Sequence, residues 1–63
     1  MSAQAIESYT RALEFDPALG VAHRGLAELY LRKGDAAHAR EHATEAEKLG
    51  TPIEPSLRGK IFR

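Results

Sequence analysis

Nine lysines and arginines stand against nine aspartates and glutamates in 63 residues, with the two signs interspersed. That balance argues against the clustered basic face of a nucleic-acid binder and against a polybasic membrane anchor. The absence of cysteine excludes disulfides and thiolate metal sites.

The length allows one small domain. A chain of this size buries only about 60% of its unfolded surface. Its aromatics are Tyr9, Tyr30, Phe15 and Phe62, tryptophan is absent, and alanine supplies much of the apolar content. So thin a core calls for a partner surface or a second copy. No apolar run approaches the roughly 20 residues that cross a bilayer. No basic region followed by a hydrophobic stretch opens the chain, so no signal peptide is expected.

The first segment covers residues 3–15. Ala5, Ile6, Tyr9, Ala12, Leu13 and Phe15 recur at three- and four-residue steps, the helical period. Asp16-Pro17 ends it, because proline disfavours the α region at the residue before it. The same dipeptide is expected to open the next helix, with Asp16 as N-cap and Pro17 as first helical residue. Val21, Ala22, Leu26, Ala27, Leu29, Tyr30 and Leu31 give this second helix a broad apolar stripe to about Lys33. Arg32 and Lys33 suit the negative end of its dipole. Gly34 suits the left-handed position that follows.

Asp35 is expected to cap a third helix over residues 36–49, which Gly50 stops. Ala36, Ala39, Ala43, Ala46 and Leu49 would line its inner face, allowing close helix approach with little area buried per residue. Pro52 and Pro55 make a helix from Thr51 awkward. A short helix over residues 55–62 is expected instead, with Leu57 and Ile61 on one face. Turns of two or three residues between the first three helices force antiparallel neighbours. No period-two pattern appears, so the fold class is all-α, an antiparallel helix-turn-helix solenoid fragment of three helices plus a short C-terminal one.

At an offset of 34 the chain overlays itself. Ala5 falls over Ala39, Glu7 over Glu41, Thr10 over Thr44 and Ala12 over Ala46. Phe15 falls over Leu49, Leu19 over Ile53, and Arg24-Gly25 over Arg58-Gly59. Internal periods of this size signal repeat architectures. Leu26-Ala27 and Tyr30 before Gly34-Asp35, and Ala39 and Ala46 after it, resemble a tetratricopeptide repeat. The run from Ala12 to Pro17 resembles the end of such a repeat.

The resemblance implies one domain. Residues 1–16 are the second helix of a partial repeat, 17–50 a full hairpin, and 51–63 a capping segment. Four positions depart from the pattern. His23 replaces a bulky apolar residue and Ala43 an aromatic one. Arg40 and Glu47 stand where the earlier helix has Ile6 and Leu13, positions that help bury a following repeat. Polar groups there fit the end of an array, where repeats are atypical. The first helix lacks its own partner, so Ala5, Tyr9 and Ala12 are left for a missing surface or a second copy.

His38-Ala39-Arg40-Glu41-His42 matches the spacing of inverted zinc peptidases. Two histidines four apart share a helix face and can reach one zinc, with a carboxylate as base. A third ligand and an enclosing cleft are missing, so the motif reads as a charged, solvated helix face. Adventitious metal on His38, His42 and Glu45 is the most it offers. His23 is expected at the helix seam, packed with one polar edge to water. The glycines form no phosphate loop. Gly25 and Gly59, mid-helix, suggest close approach of a neighbour. Ser2, Ser8 and Ser56 lack a nucleophile elbow. No enzyme, cofactor or resident metal is expected.

The function the resemblance implies is a protein-interaction module that presents a helical groove to a peptide or partner protein. It places Val21, Arg24, Glu28, Leu31 and Arg58 at the groove, with Arg24 and Arg58 reading a carboxylate. Glu28 stands where an asparagine assists that grip in the family. An alternative is self-assembly as a homo-oligomer, with Ile6, Tyr9 and Leu13 at the interface. Another is a regulatory piece of a larger enzyme or secretion component. No nucleic-acid or membrane partner is expected.

Overall fold

A computed structural model describes residues 2–63. Four helices follow one another: α1 (Ser2–Phe15), α2 (Gly20–Lys33), α3 (Ala36–Lys48) and α4 (Pro55–Ile61). The all-α class is borne out, with no strand among the described residues. The central helix is α2, which packs on α1, α3 and α4, most extensively on α3. Helix α1 touches no helix but α2. None of these helices is long and apolar enough to cross a membrane.

Two identical corners shape the hairpins. Past α2, Gly34 takes φ +90°. Its N–H bonds to Leu31 O, and the Asp35 N–H reaches back to Tyr30 O. Past α3, Gly50 takes φ +83°, its N–H bonds to Glu47 O, and the Thr51 N–H reaches Ala46 O. This paired closure satisfies the last carbonyls of a helix and needs a residue with no Cβ penalty. Gly34 is thus the corner of the α2–α3 hairpin. There Asp35 immediately caps α3, its Oδ1 accepting the His38 N–H at 3.1 Å.

The start of α2 differs from expectation. Pro17 and Ala18 form a turn, closed by the Leu19 N–H to Asp16 O at 3.1 Å. The Asp16 side chain accepts the Ala18 N–H at 3.1 Å, so its carboxylate serves this turn and not a helix cap. Leu19 precedes the helix with no side-chain cap, and α2 begins at Gly20. A Cβ at Gly20 would collide with Thr51 Oγ1. Glycine here lets the start of α2 lie against the α3–α4 connection.

The core is thin, as the composition requires. Ala22, Leu26, Ala27, Ala39, Ala43, Ala46, Ile53 and Ile61 are buried, and of these only Leu26 and Ile61 are large and fully enclosed. Each contributes about 1.5–3 kcal/mol by burial. Tyr30, Leu31 and Leu57 pack on the alanine cluster from outside. Leu49 is exposed, and Ala36 only half-buried, so the inner face of α3 is shorter than the alanine series suggests.

The charges at Arg40 and Glu47 have a visible use. Arg40 Nε donates to Ile61 O at 3.1 Å, closing the end of α4. Glu47 accepts Arg58 Nε at 2.8 Å. Both residues brace the short helix from the flank of α3.

Candidate functional site

Val21, Arg24, Glu28 and Leu31 follow the helical period along α2, with α4 packed beside that helix. Val21 is 51% exposed. Arg24 is exposed and makes no hydrogen bond or ion pair among the described residues. Glu28 is half-buried and accepts Arg32 Nη2 at 2.8 Å, an i,i+4 pair. Leu31 is half-buried and packs on the core. A shallow depression between α2 and α4 is lined by Glu28, Glu54, Ser56, Leu57 and Lys60.

Arg58 does not join Arg24. Its guanidinium bonds to Glu47 on α3 and lies over the Phe62 ring, 4.8 Å from the centroid. The cation at the depression is Lys60, which the groove positions read from the sequence do not include.

Ile6 and Leu13 are half-buried on α1, whose sole helical neighbour is α2. Tyr9 is exposed, as expected, yet not without packing. Its ring lies across Gly25 of α2, so close that a Cβ there would sit 2.5 Å from Cζ. Gly25 thus permits the close approach its position suggested, while Gly59 has no neighbour within 4 Å of a built Cβ. Phe15, at the end of α1, is 94% exposed. Arg11, Glu14 and Phe15 line a second shallow depression.

The histidines depart most from expectation. His42 was assigned to a solvated face, yet it is half-buried at the α2–α3 seam. Its Nδ1 lies 3.1 Å from Nδ1 of His23. His23 Nε2 lies 3.1 Å from Pro17 O in the turn before α2. The Tyr30 ring stacks on His42, with centroids 5.6 Å apart and planes 6° apart. It also stacks on His38 at 4.9 Å. His38 Nδ1 donates to Asp35 Oδ2 at 2.6 Å. Burial, then the charge of His23, push the His42 imidazole below its ordinary range. The His38 backbone N–H lowers the Asp35 carboxyl.

His23 and His42, nineteen positions apart, are therefore partners, whereas His38 belongs to the cap of α3. Periodicity could not find this pairing. It required the register between α2 and α3. Among the described residues no group of three or more His, Cys, Asp or Glu could hold a metal ion.

This geometry defines a small all-α protein built on an antiparallel helical hairpin flanked by a further helix on each side. No family model matches the chain, and neither a curated protein nor a solved structure matches it.

Proposed function

We propose that this chain is a tetratricopeptide-like interaction module that holds a segment of a partner protein or peptide on the α2–α4 face. The observation that carries the reading is Val21, an exposed valine one turn from the unengaged Arg24, on a helix whose other faces are committed to packing. An apolar contact beside a free guanidinium suits a segment with an apolar side chain next to a carboxylate. Lys60 offers a second cation at the neighbouring depression. Binding here needs shape and side-chain presentation, with no bond made or broken.

The test is a displayed-peptide selection on the full chain, followed by fluorescence anisotropy with the selected sequences. Val21→Asp with Arg24→Glu should weaken binding by tenfold or more, a loss of about 1.4 kcal/mol or greater. Both sites are exposed, so the fold is retained. Peptides that bind the variant as well as the original chain would refute the placement of the groove.

A second reading rests on Phe15. A phenylalanine left 94% exposed at the end of the outermost helix favours self-association through α1. Ile6 and Leu13 lie on the same helix. Sedimentation over a range of concentrations should then show a mass that rises with concentration and falls back in Phe15→Ser. A constant monomer mass would remove this reading.

A further inference from the structure

A carbonyl oxygen can only accept a hydrogen bond, and this decides the protonation of the histidine seam. Pro17 O takes its hydrogen from Nε2 of His23. A neutral His23 with hydrogen on Nε2 has a bare lone pair on Nδ1. The facing Nδ1 of His42, 3.1 Å away, must therefore be the donor. The ring centroids are 5.3 Å apart, well beyond the nitrogen separation, so the rings meet nitrogen to nitrogen and not face to face. The arrangement accepts a neutral His42, or a His42 that has gained a proton on Nε2. A proton on His23 Nδ1 fits only while His42 carries its hydrogen on Nε2 alone; once both Nδ1 atoms are protonated, two N–H groups face each other between two cationic rings.

We propose that the His23–His42 contact is a proton-counting latch that joins α2, α3 and the 16–19 turn. It stays closed while the pair carries at most one proton beyond neutrality. A second proton turns the His23 ring away, frees Pro17 O and loosens the open end of the α2–α3 hairpin. The half-buried, Tyr30-stacked His42 gives the latch its threshold.

The surroundings set the sign. From α3, Glu41 and Glu45 favour a charged His42 while His38 opposes it; from α2, His23 opposes it. In the turn, the Asp16 carboxylate is spent on the Ala18 N–H. Helix α1 does not touch α3, and on α4 Arg58 is paired with Glu47. Burial outweighs the two glutamates, so the folded chain takes up its His42 proton at lower pH than the unfolded chain does. Between those two values the unfolded chain binds more protons. Stability is then full above about pH 6.5 and is lost as pH falls below it. The unfolding constant should rise by up to about tenfold per pH unit for each extra proton bound.

Long-range proton–nitrogen correlation spectra of the uniformly labelled full chain at about pH 7.5 test the latch directly, since histidines are then largely neutral. The expected result is hydrogen on Nε2 of His23 and on Nδ1 of His42. Finding His42 as the Nε2–H tautomer would overturn the proposal. Urea unfolding from about pH 7.5 to 5.5, where carboxylates stay ionised, gives the second arm. The pH slope should survive in His38→Gln and flatten in His42→Gln. An unchanged slope in a folded His42→Gln would equally overturn it. If that variant does not fold, the spectra of the original chain decide alone.

Discussion

Replacing Gly25 by alanine should change sign with the residue at position 9. In an ordinary helix interior, glycine to alanine stabilises by up to about 1 kcal/mol. Here the new Cβ would fall 2.5 Å from Tyr9 Cζ, 2.8 Å from Cε2 and 2.9 Å from Cε1. The ring must leave. Tyr9 is 37% exposed, so the burial of roughly two-thirds of its surface is forfeited, at about 1–2 kcal/mol on the usual scale for a large side chain. The two terms nearly cancel or leave a net loss of about 1 kcal/mol. In a Tyr9→Ala background the clash is gone and the same substitution stabilises by up to about 1 kcal/mol. The coupling across the cycle is therefore about 1–2 kcal/mol. Urea unfolding followed by circular dichroism on the four proteins measures it. Equal stabilisation of both backgrounds would show that the ring does not rest on Gly25.

Ile61→Ala should cost about 2–5 kcal/mol, because Ile61 is fully enclosed and is the sole buried residue of α4. Amide exchange should show α4 released before the hairpin. Gly34→Ala should destabilise by about 1 kcal/mol, since φ is +90° there, while Gly59→Ala, in open space, should raise the melting temperature by a few degrees. The Asp35 carboxyl is held below its ordinary value chiefly by the His38 N–H. Its support for the start of α3 is present above about pH 4 and lost as pH falls further. Asp35→Asn should remove that part of the acid transition in a circular-dichroism titration.

The helices were legible because their signals are local. Gly34-Asp35 and Gly50 state where one helix stops, and in the first case where the next begins, through backbone geometry that few other residues supply. Asp16-Pro17 misled for the same reason. An aspartate before a proline can cap a helix or close a turn, and here the Asp16 carboxylate takes the Ala18 N–H in a turn, so that α2 starts at Gly20. The site was less legible. Arg24 and Arg58 occupy equivalent positions in the 34-residue register, yet Glu47 draws Arg58 to α3. The His23–His42 pair depends on the register of two packed helices, which no single periodicity encodes.

The two ends of the molecule differ in kind. At the α4 end, side chains of α3 close the structure: Arg40 takes the last carbonyl at Ile61, and Glu47 holds Arg58. Both are long polar residues at positions that hold Ile6 and Leu13 one period earlier. A neighbour stacking there would have to break or bury both contacts, and burying charge without full compensation is costly. At the α1 end the described residues hold no such device. Phe15 stands free, Tyr9 keeps one edge in water, and the short ion pair from Arg11 to Glu7 spans only the helix's own surface. Addition of any further helix, from a partner or a second copy, is therefore cheaper on α1 than on α4. Phe15→Ser should suppress such addition without lowering the stability of the monomer, because a side chain already 94% exposed has little burial to lose on unfolding. If Phe15→Ser lowered the melting temperature by more than a degree or two at a concentration where the chain is monomeric, Phe15 would have to be packed, and this difference between the two ends would fall.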